Sequence, residues 1–198
     1  MTGVASSWSP FHPSLFCNDS AMIELCPTEV QGVMIVAPKA SRDERGLFAR
    51  TYDAATFANA GLPTEWPQCN TSWNVRKGTL RGMHFQSQPH PDAKVVRCTR
   101  GRIFDVAVDL RPDSPTFRCW TGTELSDENR HALAIPAGCA HGFLTLEDNC
   151  EVYYMMAETY VPELARGVRW NDPAFAITWP SEPIVMAEKD ASWPDFEA

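Results

Sequence analysis

Residues 104–110 alternate strictly: Phe104, Val106, Val108 and Leu110 are apolar, while Asp105, Ala107 and Asp109 fall between them. A two-residue period gives a strand with one apolar face, and the Arg111-Pro112-Asp113-Ser114-Pro115 run that follows is a turn. From about Met22 onward the chain keeps placing short apolar segments between turn residues, the pattern of an all-β sandwich or barrel. Beyond Gly142 an apolar segment reaches Leu146, Glu147-Asp148-Asn149 supplies a turn, and Cys150, Val152, Tyr154 and Met156 share the parity of another strand. This arrangement predicts a hairpin. Two short helices are expected, one capped by Asp53 and ending at Gly61, the other starting within Ser126-Asp127-Glu128-Asn129.

A chain of 198 residues suits one domain. Residues 1–21, with their prolines and serines and no sustained period, are expected to form an N-terminal extension, and residues 22–198 the domain, with a proline-rich tail from Trp179 wrapping it. No apolar run approaches the eighteen or so residues of a membrane span, and the N-terminus lacks the features of a signal peptide. The seven cysteines form no Cys-x-x-Cys pair and their odd number leaves a thiol free, which fits a reduced, cytoplasmic setting. A formal charge of −8 argues against nucleic acid or anionic membrane as a partner. Yet ten of the seventeen Lys and Arg residues lie between Arg42 and Arg102, so a basic pocket for a small anion is compatible with the acidic total.

Two segments carry the chemistry: Arg81-Gly82-Met83-His84-Phe85-Gln86 and Pro136-Ala137-Gly138-Cys139-Ala140-His141. Strict alternation puts Arg81 and His84 on opposite faces, but a bulge at Gly82 would turn both inward. The second segment matches the Pro-x-Gly-x-x-His half of the cupin signature. In the first, the metal-binding His-x-His has become His84-Phe85-Gln86, and no glutamate follows at the usual interval. A barrel that keeps its histidines without the metal cage suggests acid–base chemistry.

Together the two segments closely resemble the dTDP-4-dehydrorhamnose 3,5-epimerase family, and the resemblance runs from about residue 30 to Asp190. It implies a cupin jelly-roll barrel, a double-stranded β-helix, with no required metal or other cofactor. It further implies a nucleotide-diphospho-4-keto-6-deoxy sugar as substrate, with dTDP as nucleotide, and inversion at C3, C5 or both through an enolate. By the resemblance His84 is the base and Asp190, in Ala187-Glu188-Lys189-Asp190-Ala191, its orienter. Tyr154 is the acid on the opposite face of the sugar, and Lys94 stabilises the enolate oxygen. Arg45, Gln68, Asn70, Arg81, His141 and Tyr160 match substrate contacts. The family is dimeric and exchanges N-terminal strands, so a homodimer is implied, with Arg45 acting in one subunit or the other.

Each residue also has a plainer reading. His84 suits a satisfied core or a surface position, Tyr154 a core, Lys94 a strand surface, Asp190 an exposed tail, and His141 is open to a structural role. The chain departs from the family at Met155, where lysine is usual, and at Arg50, where glutamate is usual. A sugar-nucleotide 3,4-ketoisomerase, a catalytically silent sugar-nucleotide-binding cupin and a metal-dependent cupin oxygenase are the alternatives.

Overall fold

A computed structural model describes residues 22–197, so the expected extension at 1–21 lies outside the described residues. The first strands are β1 (Ile23–Pro27), β2 (Met34–Pro38), β3 (Ala40–Asp43) and β4 (Gly46–Ala49). Helix α1 (Ala54–Asn59) follows, and Asp53 caps it by accepting a hydrogen bond from the Thr56 amide. Next come β5 (Gln68–Asn74), β6 (Thr79–Gln86), β7 (Lys94–Arg100), β8 (Arg102–Asp109), β9 (Trp120–Ser126) and β10 (Ala132–Ile135). The chain closes with β11 (Cys139–Thr145), β12 (Cys150–Met156), β13 (Ala165–Gly167), β14 (Val185–Met186) and the single turn α2 (Glu188–Ala191).

The fold is all-β, a jelly roll. One sheet has the order β1-β2-β10-β7-β12-β5; the other runs β13-β6-β11-β8-β9, with β14 added in parallel to β6. Successive strands from β5 to β8 and from β10 to β12 switch sheets, which is how the chain wraps a barrel. The strands flanking Glu147-Asp148-Asn149 therefore do not form the expected hairpin. β11 pairs with β6 and β8, whereas β12 pairs with β5 and β7 in the opposite sheet. Turn residues show that the chain reverses; they do not say which neighbour the next strand will pair with.

The second expected helix is also absent. Ser126 and Asn129 bond reciprocally, side chain to backbone amide, but the segment is a turn that returns the chain to β10. Arg130 takes a positive φ of 57°, which ends any helical continuation.

Three apolar clusters sit in three layers. Val96, Cys98, Ala107, Leu125, Leu133, Phe143 and Val152 fill the space between the sheets. Outside the first sheet, Ile23, Val36, Phe57 and Val95 pack with Tyr52 and Trp66. Outside the second, Phe104, Val106 and Val108 lie beneath Val168, Phe175, Trp179 and Phe196 of the C-terminal segment. The apolar stripe of β8 thus faces away from the barrel, and Asp105 and Ala107 turn into it; both faces of the strand are buried. Among the described residues no helix is long and apolar enough to cross a membrane.

Candidate active site

On β6, His84 lies opposite His141 of β11, and Arg81 lies opposite Phe143. Three steps on one strand match two on the other, which is a bulge at Gly82-Met83. Only glycine fits there, because φ is +140° and an added Cβ would lie 2.5 Å from the Gly142 Cα. The bulge brings Arg81 and His84 to the same side of the strand. Arg81 Nε donates to Asn74 Oδ1 at 2.7 Å.

The C-terminal segment runs beside β6 as β14 and turns through α2, delivering Asp190 to the back of His84. Asp190 Oδ1 is 2.7 Å from His84 Nε2, and Asp190 Oδ2 accepts from the Gly82 amide at 3.2 Å. Burial pushes this carboxyl upward, but the bonds from His84 and the Gly82 amide and the nearby positive charge outweigh it, leaving the pKa below its ordinary value. Asp190 is therefore an ionised acceptor that fixes Nε2 of His84 as the donor and leaves Nδ1 outside the pairing.

A second histidine–carboxylate pair stands alongside. His141 Nε2 lies 2.8 Å from Asp105 Oδ1, and Asp105 is wholly buried, which raises its pKa against the opposing pull of His141. Sequence reasoning missed Asp105. The alternation in β8 showed two faces but did not show that the polar one points inward.

Across the barrel, Tyr154 of β12 faces Asn70 of β5 and Val96 of β7, and packs against the inter-sheet core. Burial raises its hydroxyl pKa, with Arg81 pulling the other way, so the phenol is protonated at neutral pH. Lys94 of β7 lies opposite Met156 and Ile135 on the same inner face. Its ammonium is 3.6 Å from Asp92; burial lowers its pKa and Asp92 opposes that fall.

Other expected contacts are already engaged in shaping the mouth. Gln68 Oε1 accepts from the Tyr160 amide at 2.9 Å, while Asn70 Nδ2 lies 3.3 Å from Met156 Sδ. Tyr160 itself is exposed. Gln86, at the position of a metal-ligating histidine, donates to the carbonyls of His90 and Thr159 and accepts from the Val161 amide. That use of Gln86, with both histidines committed to carboxylates, does not fit a cupin metal cage; among the described residues no group of three His, Cys, Asp or Glu side chains is placed to hold a metal ion. Arg45 is not brought to these residues: it stands on the β3–β4 hairpin, its side chain 85% exposed and paired with Asp43 at 2.5 Å.

Both departures from the family pattern lie away from the inner face. Met155 packs with the cluster outside the first sheet, and Arg50 pairs with the helix-capping Asp53 at 3.4 Å.

A family model described as dTDP-4-dehydrorhamnose 3,5-epimerase matches residues 27–198. The chain belongs to the dTDP-4-dehydrorhamnose 3,5-epimerase family. A dTDP-4-dehydrorhamnose 3,5-epimerase of Methanothermobacter thermautotrophicus is 48% identical over 169 residues, covering 84% of this chain and 90% of that protein. The crystal structure of the Elizabethkingia anophelis dTDP-4-dehydrorhamnose 3,5-epimerase superposes with a TM-score of 0.84 at 37% identity, covering 89% of this chain and 97% of the other. A Legionella pneumophila dTDP-6-deoxy-D-glucose-3,5-epimerase, solved with dTDP-4-keto-L-rhamnose, gives a TM-score of 0.80 at 35% identity over 89% of this chain and all of the other. As a member of this epimerase family, the chain has the isomerase chemistry and cupin barrel that its two motifs imply.

Proposed function

We propose that the protein epimerises a dTDP-linked 4-keto-6-deoxy sugar at C3 and C5, with no metal or organic cofactor taking part. The observation that carries this reading is the His84–Asp190 pair, 2.7 Å apart, with His84 on β6 of one sheet, Asp190 delivered from α2, and Tyr154 on β12 of the other sheet. Inversion needs a proton removed from one face of a carbon and returned to the other. His84 takes the proton next to the C4 ketone, and Asp190 stabilises the imidazolium. The negative charge then moves to the C4 oxygen, where the Lys94 ammonium stabilises it. Tyr154 returns a proton on the opposite face. One well-placed donor of this kind contributes about 3–4 kcal/mol in comparable oxyanion sites.

The His141–Asp105 pair supplies a second fixed donor beside the sugar. Arg81 and Tyr160 bind the diphosphate and sugar, and Gln68 and Asn70 line the approach. Arg45 is exposed on its hairpin, which supports its reaching into a second copy within a homodimer that exchanges N-terminal strands. Light scattering should then give twice the chain mass of 22.1 kDa. Cys69, Cys98, Cys119, Cys139 and Cys150 are free thiols, which supports a cytoplasmic enzyme, and residues 22–198 act as one domain.

The test offers 4-keto-6-deoxy sugars linked to dTDP, CDP, UDP and GDP to the enzyme in deuterated water and locates the label. The reading expects deuterium at both C3 and C5 of the dTDP sugar. Label at one carbon makes the enzyme a monoepimerase. Movement of the keto group to C3 makes it a ketoisomerase, and no label with retained binding makes it a silent binding protein.

A further inference from the structure

Asp92 lies two residues before Lys94, and its side chain is completely buried. One carboxylate oxygen, Oδ1, accepts from the Glu158 amide at 3.2 Å. The other, Oδ2, has no hydrogen-bond partner among the described residues, and the Lys94 ammonium lies 3.6 Å from it. A buried carboxylate oxygen left without a donor is costly, and a buried ammonium is equally so. Here each serves as the other's counterion.

The same carboxylate joins two pieces of the barrel mouth. The Ala157 amide donates to the Ala93 carbonyl at 2.9 Å, next to the Glu158–Asp92 bond. Beyond them, Gln86 and Gln68 hold the backbone of residues 159–161, which carries Tyr160. Asp92 is thus fixed by the segment that follows β12 and in turn faces the side chain at the start of β7.

We propose that Asp92 is the positioning residue of Lys94, keeping its ammonium charged and aimed at the substrate oxygen within the barrel. The inference rests on the role given to Lys94 in the epimerase reading and adds what makes that role possible. Without a counterion, a lysine whose side chain is only 14% exposed sheds its proton more readily, and a neutral amine stabilises an enolate poorly. Asp92 is the charged group acting on Lys94; burial raises the pKa of Asp92 itself, and Lys94 and the Glu158 amide pull it back toward the ionised form. Other ionisable groups on the inner faces among the described residues are Arg81 and His84 on β6, Cys98 on β7, Asp105 on β8, Cys139 and His141 on β11 and Cys150 and Tyr154 on β12, with Glu158 and Tyr160 on the adjoining segment. Tyr154 also feels Asp92, together with Arg81 and Tyr160.

The test is the pH profile of deuterium exchange into a dTDP-4-keto-6-deoxy sugar, recorded for the parent enzyme, Asp92→Asn, Asp92→Glu and Lys94→Met. Each profile is repeated in the Tyr154→Phe background so that the phenol does not set the alkaline limb. In Asp92→Asn the alkaline limb should move down by about one to three pH units, as expected for losing an opposite charge within 4–6 Å, while dTDP affinity stays within threefold. Asp92→Glu should keep the limb near its parent position, at a reduced rate. A purely structural ion pair would lower the melting temperature without moving the limb. An unmoved limb in Asp92→Asn overturns the proposal; if Asp92→Asn does not fold, Asp92→Glu decides alone, and a limb there displaced downward by about one pH unit or more overturns it. Lys94→Met separates the role of Lys94 from that of Asp92. If it exchanges like the parent, the role of Lys94 fails; if it is silent while Asp92→Asn is unmoved, only the role of Asp92 fails.

Discussion

Replacing Asp190 with asparagine keeps the shape of the side chain and removes its charge. The Gly82 amide needs an acceptor, so the new amide oxygen turns toward it and the NH2 group toward His84 Nε2. A donor facing Nε2 selects the tautomer with its proton on Nδ1, the nitrogen that should accept the substrate proton. A charge-assisted hydrogen bond contributes about 1.5–3 kcal/mol, so loss of charge alone predicts roughly a 10- to 150-fold slower exchange. Asp190 is nearly buried but the His84 ring is 44% exposed, so solvent screening favours the lower part of that range. The wrong tautomer adds to this, and a similar change in a serine protease costs about 10⁴-fold, so a total loss of about 10²–10⁴ is expected. The assay is deuterium exchange at saturating substrate, with dTDP binding measured separately by calorimetry. Exchange within threefold of the parent enzyme would refute the orienting role. The pH dependence has a definite sign: Asp190 has a depressed pKa in the folded protein, so its contribution to stability is present above the ordinary carboxylate value of about 3.9 and lost as pH falls through the folded value. Asp190→Asn should therefore flatten acid unfolding in that window.

Three further outcomes follow from the geometry. Asp105→Asn should slow exchange at least tenfold yet hold or raise the melting temperature at neutral pH; folding raises the pKa of Asp105, so its ionised form is a cost that the neutral amide removes. Gly82→Ala should cost at least about 3 kcal/mol, read by urea denaturation, because the new Cβ meets the Gly142 backbone at a φ of +140°. Tyr154→Phe should reduce product formation far more than initial exchange, since it removes the returning proton and not the first abstraction; equal loss of both would make Tyr154 a positioning group.

The sequence made some of this visible and hid the rest for physical reasons. The alternation of residues 104–110 marks a strand, but periodicity alone does not say which face meets the barrel. In β8 the apolar face is taken by the C-terminal segment, so Asp105 points inward. Gly82 was legible because an inward Arg81 and an inward His84 require an irregularity between them. The connection at residues 147–149 misled because a tight turn is equally suited to a hairpin and to a change of sheet. Ser126 and Asn129 make cap-like bonds without a helix behind them, since the chain must rejoin β10. Asp190 stands 106 positions from His84, and only the family pattern linked them before the parallel pairing of β14 with β6 showed how they meet. Gln86, Gln68 and Asp92 hold the mouth together through backbone groups, which leave no pattern in side-chain order.

Epimerisation by this site requires His84 to remove a carbon-bound proton. The direct measurement is deuterium incorporation into a dTDP-4-keto-6-deoxy sugar by His84→Ala, alongside dTDP affinity for the same protein. Loss of incorporation at both C3 and C5, with affinity within threefold of the parent, is the expected result. Incorporation at either carbon at a rate approaching that of the parent would contradict it.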